Sequence, residues 1–176
     1  MLRILFVCTG NTCRSPMAEA LLNDKIRQAG HDEQIKVLSA GLAGGPSSPA
    51  SYGAVSTMMK RGLDISSHTS RELLADYTQA ADVILTMTGS HKRNVLRLFP
   101  QVWQKVFTLA EFAGEEGDID DPFGGDDEVY GVCAAQLASW VDKSWEKILR
   151  LAGNTANQRE NYAPAEEDGY DNSHRQ

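Results

Sequence analysis

The feature that most limits how this chain can fold lies at its start. An apolar run, Leu2 to Val7, ends in the turn-forming segment C8-T-G-N-T-C-R14-S15 and passes straight into apolar residues at helical spacing. A short run containing Ile and Val and closed by a glycine-bearing turn predicts a buried strand. Ser15-Pro16 followed by MAEALLNDKIRQAG predicts a helix, with proline in its first turn and Gly30 at its far end. The pattern then recurs. Ile35 to Ser39, Asp82 to Met87 and Lys105 to Leu109 predict strands, and Ala50 to Arg61 and His91 to Phe99 predict helices. A long closing helix, Glu128 to Leu151, places Val132, Leu137, Trp140, Val141, Trp145 and Ile148 on one apolar stripe. Strands alternating with helices imply a three-layer α/β fold: a parallel sheet with helices on both faces, binding ligands beyond the carboxyl ends of its strands. Cys8 sits just past such an end.

The chain has 176 residues, 41% of them hydrophobic, enough for one sizeable core. A domain over residues 1–152 is expected. From Gly153 onward the sequence NTANQRENYAPAEEDGYDNSHRQ lacks aliphatic periodicity, which predicts a disordered polar tail over 153–176. The net charge of −7 describes an acidic surface that repels nucleic acid and anionic membranes, so a bound anion must be held locally. No apolar run reaches the roughly 20 residues of a membrane span, and MLRILFV lacks the parts of a signal peptide. A cytoplasmic protein is expected. Cys8, Cys13 and Cys133 are too few for a disulfide framework and form no CxxC pair, so neither a structural metal nor a cofactor is expected. Cys133, on the closing helix, reads as a small buried thiol.

The segment from Cys8 to Ser15 carries the chemistry. Between a strand and a helix N-terminus, backbone N–H groups converge and the helix dipole is positive, which suits a tetrahedral dianion. Thr9, Gly10, Asn11, Thr12 and Cys13 are the residues expected to surround it, with Gly10 and Asn11 accommodating unusual dihedrals. Those electropositive surroundings favour the thiolate of Cys8, the nucleophilic form. Arg14 offers a planar fork that matches two phosphoryl oxygens. Ser15 is either a hydrogen-bond donor to the sulfur or an ordinary helix cap.

The stretch VCTGNTCRSPMAEA resembles the active-site loop of low-molecular-weight protein phosphatases, and the similarity continues through S39-A-G, H68-T-S-R71, D82-V-I-L-T-M and D121-P-F-G-G to about residue 152. The resemblance implies a flavodoxin-like sheet of four parallel strands, a cysteinyl-phosphate intermediate on Cys8, phosphorylated proteins as substrates and no metal. It also implies that Asn11 braces the loop and that Ser39 hydrogen-bonds it.

A general acid must protonate the leaving group from a loop that reaches the anion. Asp121 is the candidate: it precedes Pro122 in a turn-rich stretch and matches the family's Asp-Pro acid, with Asp118 and Asp120 as rivals. Asp118, Asp126 and Asp127 otherwise read as a solvated acidic loop. Thr12 within the loop, Thr88 after the third strand and the sequence D121-P-F-G-G125 resemble the bacterial protein-arginine phosphatases more than the tyrosine-directed members. A polar residue beside phosphorus suits a guanidine leaving group better than an aliphatic one packed for a phenol ring. Phe123 is expected to wall the cleft against either group. Phosphoarginine is therefore the expected substrate, with phosphotyrosine the alternative. A thiol-dependent arsenate reductase would need further thiols, and Cys133 has no partner nearby in sequence. A non-catalytic phosphate-binding module is disfavoured by the presence together of Cys8, Arg14 and Asp121. Cys8 and Cys13 share one tight loop and are expected to form a protective disulfide on oxidation.

Overall fold

The computed structural model describes residues 1–43, 45 and 47–160, the last five of these as backbone alone. Four parallel strands, β1 (Leu2–Cys8), β2 (Ile35–Gly41), β3 (Val83–Thr86) and β4 (Val106–Thr108), form one sheet in the order β2-β1-β3-β4. The three-layer α/β architecture expected from the alternating pattern is the one observed, and so is the flavodoxin-like sheet of four parallel strands that the resemblance implies. Because β1 is central, both of its faces are covered, and side-chain alternation divides it between two cores. Leu2, Ile4, Phe6 and Cys8 face one core, and Leu5 and Val7 face the other.

The larger core is closed by α1 (Arg14–Ala29), α2 (Tyr52–Lys60), α5 (Leu109–Ala113) and α6 (Asp127–Glu160), which bury Met17, Leu22, Ile26, Met58, Phe112, Leu137, Trp140 and Ile148. The smaller lies under α3 (Ala75–Ala80), α4 (Gly89–Leu98) and a 3-10 turn at Pro100–Lys105, with Ile84, Val95, Val102 and Val106 inside. Helix α1 stops at Gly30, whose left-handed φ of 72° lets its N–H bond back to the last turn.

Three expectations about elements change. Helix α6 continues to Glu160 instead of stopping near Leu151, so residues 153–160 of the expected tail are helical and the remainder lies outside the described residues. Val132 is not on the buried stripe. It is 64% exposed, whereas Leu137, Trp140, Val141 and Ile148 are buried. The short helices α3 and α5 and the 3-10 turn have no counterpart in the sequence reading, because segments of five or six residues are too brief to show a 3.6-residue period.

Candidate active site

Cys8 ends β1, and the chain turns at once into α1, so residues 8–15 form a loop at the carboxyl edge of the sheet. Asn11 is the pivot. Its φ of 56° is the only left-handed one among the described non-glycine residues, a conformation asparagine tolerates better than most. The expectation for Gly10 differs: its φ is not positive, and a Cβ there would meet Thr12 Oγ1 at an ordinary 3.6 Å. The glycine the loop does require is Gly41 at the end of β2. A Cβ on it would fall 2.7 Å from the Thr9 carbonyl oxygen and 3.0 Å from the Asn11 nitrogen.

Every polar atom of the Asn11 side chain is used. Nδ2 donates to Ser15 Oγ (2.9 Å) and to Ser39 Oγ (2.8 Å), while Oδ1 accepts from the Arg71 N–H (2.9 Å). His68 Nε2 donates to the Asn11 carbonyl at 2.8 Å. Ser39, accepting from Asn11, donates its own O–H to Glu19 Oε2 at 2.5 Å. The same logic orients Ser15. Its oxygen accepts from Asn11, leaving its hydrogen for Cys8 Sγ, 3.0 Å away. The Asn11 backbone N–H also donates to Sγ, at 3.3 Å. Two donors thus converge on one sulfur at the positive end of α1. Ser15 is not a helix cap: the cap position is Cys13, which makes no side-chain capping bond.

Arg14 is buried at 5% exposure. Nη1 donates to the Ile119 carbonyl (3.0 Å), and Nη2 pairs with Asp121 Oδ2 (2.8 Å). The 118–121 segment is pinned to the sheet edge, because Ile119 N–H donates to the Met87 carbonyl (2.9 Å) and Asp118 Oδ1 accepts from Gly89 N–H (2.8 Å). Asp118 is therefore tied to the first turn of α4 instead of being merely solvated. Asp126 likewise accepts from the N–H groups of Glu128 and Val129 at the start of α6, and Asp127 pairs with Lys60. Of the three carboxylates first considered as acids, Asp121 is the one paired with Arg14, and its Oδ1 accepts from Phe123 N–H at 3.3 Å.

Cys8, Thr9, Gly10, Thr12, Cys13, Arg14, Asp121 and Phe123 line a pocket of about 230 Å3. Phe123, 75% exposed, stands at its rim. A wider polar recess of about 730 Å3 lies between α1 and residues 62–71, but Cys8 does not line it. Cys13 points into the protein, where its thiol donates to Ser51 Oγ (3.2 Å) and meets Tyr130 OH (3.4 Å). Burial, with the Cys13 contact adding to it, pushes the Tyr130 hydroxyl up to about 12. Burial also raises Cys133 to about 12, keeping it an un-ionised thiol 3.8 Å from the Asp120 carbonyl. Among the described residues, no group of three or more His, Cys, Asp or Glu is placed to hold a metal ion.

His91 escaped the sequence reading. Its Nε2 lies 2.8 Å from Thr9 Oγ1, and its Nδ1 lies 3.0 Å from Thr88 Oγ1, which also caps α4. Burial and then the nearby Arg14 charge lower its pKa to about 4. The ring is neutral, so one nitrogen donates and the other accepts. A single histidine at the head of an amphipathic helix carries no local signal of this: Thr88 is the cap of its own helix, but Thr9 comes from the loop after β1.

The chain matches the low molecular weight phosphotyrosine protein phosphatase family over residues 3–152. It is 42% identical over 147 residues to a protein-arginine-phosphatase of Geobacillus stearothermophilus, covering 83% of this chain and 95% of that one. The crystal structure of a low molecular weight protein tyrosine phosphatase from T. tengcongensis superposes with a TM-score of 0.80 at 44% identity, covering 84% of this chain and 99% of the other. A mutant of the YwlE arginine phosphatase with a phosphorylated active-site serine matches with a TM-score of 0.78 at 34% identity, covering 90% and 99%.

Proposed function

Since the chain belongs to the low molecular weight phosphotyrosine protein phosphatase family, we propose that it hydrolyses phosphoarginine on proteins, with Cys8 carrying the phosphoryl group. The observation that carries this reading is the convergence of the Asn11 N–H and the Ser15 hydroxyl on Cys8 Sγ, in a pocket walled by Arg14 and Asp121. The sulfur attacks phosphorus as the bond to the leaving guanidine nitrogen breaks, and the Asp121 carboxyl delivers a proton to that nitrogen. Water then attacks the cysteinyl phosphate and gives its proton to Asp121, releasing phosphate. The Ser15 hydroxyl stabilises the sulfur as it departs.

Phosphoryl oxygens compete with Asp121 for the Arg14 guanidinium, so substrate binding frees the carboxyl to turn toward the leaving group. Loop amides from Thr9 to Cys13 and the Asn11–Ser39 brace hold the anion site in shape. Thr12 lines the pocket as a polar residue, and Phe123 offers a flat face to a guanidinium or a phenol. Phosphotyrosine remains the second reading because the T. tengcongensis structure is named for that activity. An arsenate reductase would need a resolving thiol, and Cys133 is buried and un-ionised. Recoverable oxidation through a Cys8–Cys13 disulfide belongs to the same proposal, and it requires the Cys13 thiol to leave Ser51 and Tyr130. Action in the cytoplasm belongs to it too; among the described residues no helix is long and apolar enough to cross a membrane.

The test compares phosphoarginine and phosphotyrosine peptides at equal concentration, with wild type and Thr12→Ile. Wild type should favour phosphoarginine, and the variant should shift the ratio of specificity constants at least tenfold toward phosphotyrosine. A wild type that prefers tyrosine overturns the substrate assignment, and an unshifted ratio removes Thr12 as its cause.

A further inference from the structure

Asp121 is a wall shared by two recesses. One side faces the Cys8 pocket; the other faces a groove of about 280 Å3 between residues 120–122 and the first turns of α6. Pro122, Val129 and Val132 make its apolar surface, with Val129 and Val132 exposed at 44% and 64%. Aliphatic side chains on the outer face of a helix have no role in the core, and here they are gathered in a concavity. Glu128, Val132 and Gln136 are spaced four residues apart, so one helix row runs from acid through aliphatic to amide along the groove. Asp120 adds a second carboxylate to the lining.

Asp121 lines both recesses and Phe123 stands exposed beside it, so a protein substrate whose phosphorylated side chain descends to Cys8 has a direct way over Asp121 for its flanking residues. The groove begins on the far side of Asp121. We propose that it binds the polypeptide flanking the phosphorylated residue, selecting an aliphatic side chain next to a lysine or arginine. This inference rests on the protein-phosphatase reading above. Apolar contact with Pro122, Val129 and Val132 holds the aliphatic residue, and Glu128 and Asp120 attract the cation.

The experiment measures kcat/KM on three peptides that carry the phosphorylated residue the enzyme prefers, flanked by Leu-Lys, Leu-Glu or Gly-Ser. Para-nitrophenyl phosphate serves as a substrate without flanks. Wild type should favour the Leu-Lys peptide over the Leu-Glu peptide about tenfold at low salt, and less as salt rises. Glu128→Lys and Val132→Lys, both on the exposed face of α6, should erase or reverse that order while leaving para-nitrophenyl phosphate turnover within about twofold. A wild type that hydrolyses all three peptides equally, or variants that leave their ratios intact, would overturn the groove alone. A wild type that cleaves para-nitrophenyl phosphate and none of the peptides overturns the protein-phosphatase reading and the groove with it. Concentration-dependent self-association lost in Val132→Lys, with unchanged peptide ratios, would assign the face to a second copy of the chain and overturn the proposal.

Discussion

At the scale of single residues, the site depends on how few protons Asn11, Ser15 and Ser39 have and where each must go. Once Asn11 Nδ2 is committed to both serine oxygens, Ser15 has its hydrogen left for Cys8 and Ser39 has its hydrogen left for Glu19. Asp121→Asn tests the proposed acid. It should lower kcat on phosphoarginine or unactivated phosphate esters by about a hundredfold or more, the range of general-acid loss. Activated aryl phosphates, whose leaving groups need little protonation, should lose far less in the same steady-state assay. His91 gives a pH prediction. Its pKa falls from 6.5 to about 4 on folding, so between those values the unfolded chain binds a proton that the folded chain does not. Stability should therefore be present above about pH 6.5 and decline as pH falls toward 4. Allowing for solvent near the ring, this loss should amount to about 2 kcal/mol. Urea unfolding of wild type and His91→Gln across that range should show the variant losing less. Threonine at position 88 is consistent with a neutral ring, since an aspartate there would favour the imidazolium.

At the scale of elements, the loop's shape is set by the end of β2 as much as by its own residues. Gly41 faces Cys8 in the strand register, and its N–H and carbonyl bond to Arg71 and Leu73, so β2 cannot retreat to make room for a side chain. Gly41→Ala should therefore push the loop at Thr9 and Asn11. It should cost about 1–3 kcal/mol in denaturant unfolding, typical of overpacking. The rate on para-nitrophenyl phosphate should fall at least tenfold, a loss larger than destabilisation alone would give in a protein still folded under assay conditions. Helix α2 meets α6 by a similar device. Any Cβ on Gly53 would collide with the ring of Tyr130, whose hydroxyl reaches Ser51 at the start of α2.

At the scale of the whole molecule, the Cys8 pocket is assembled from parts distant in sequence: α1 supplies Arg14, the 118–121 segment supplies its partners, and α4 supplies His91 to the Thr9 side chain. Helix α6 packs against α1, α2 and α5, and among the described residues its last buried side chains are Ile148 and Ala152. We propose residues 1–152 as the folding and catalytic unit. A chain ending at residue 155 should keep its melting temperature within about 3 °C, the shift expected for roughly 1 kcal/mol in a chain of this size. It should also turn over para-nitrophenyl phosphate at the full rate. A chain ending at residue 147 loses core side chains worth several kcal/mol and should melt far lower.

The sequence by itself determined the alternation of strands and helices, the loop at the end of β1 and the identity of Cys8, Arg14 and Asp121 as the residues worth following. Those signals are local: an apolar period, a proline, a glycine, a motif of eight residues. Tertiary structure decided which way each group points. Whether Ser15 caps a helix or meets the sulfur depends on where Asn11 sends its two protons, and that depends on Ser39 and Arg71, both far along the chain. Val132 and Ile148 look alike in an apolar stripe, but only Ile148 is buried, because the face of α6 turned inward is chosen by what packs against it. His91 meets Thr9 only when the ends of β1 and β3 are brought side by side, and the pairing of those two strands is written in no single stretch of sequence.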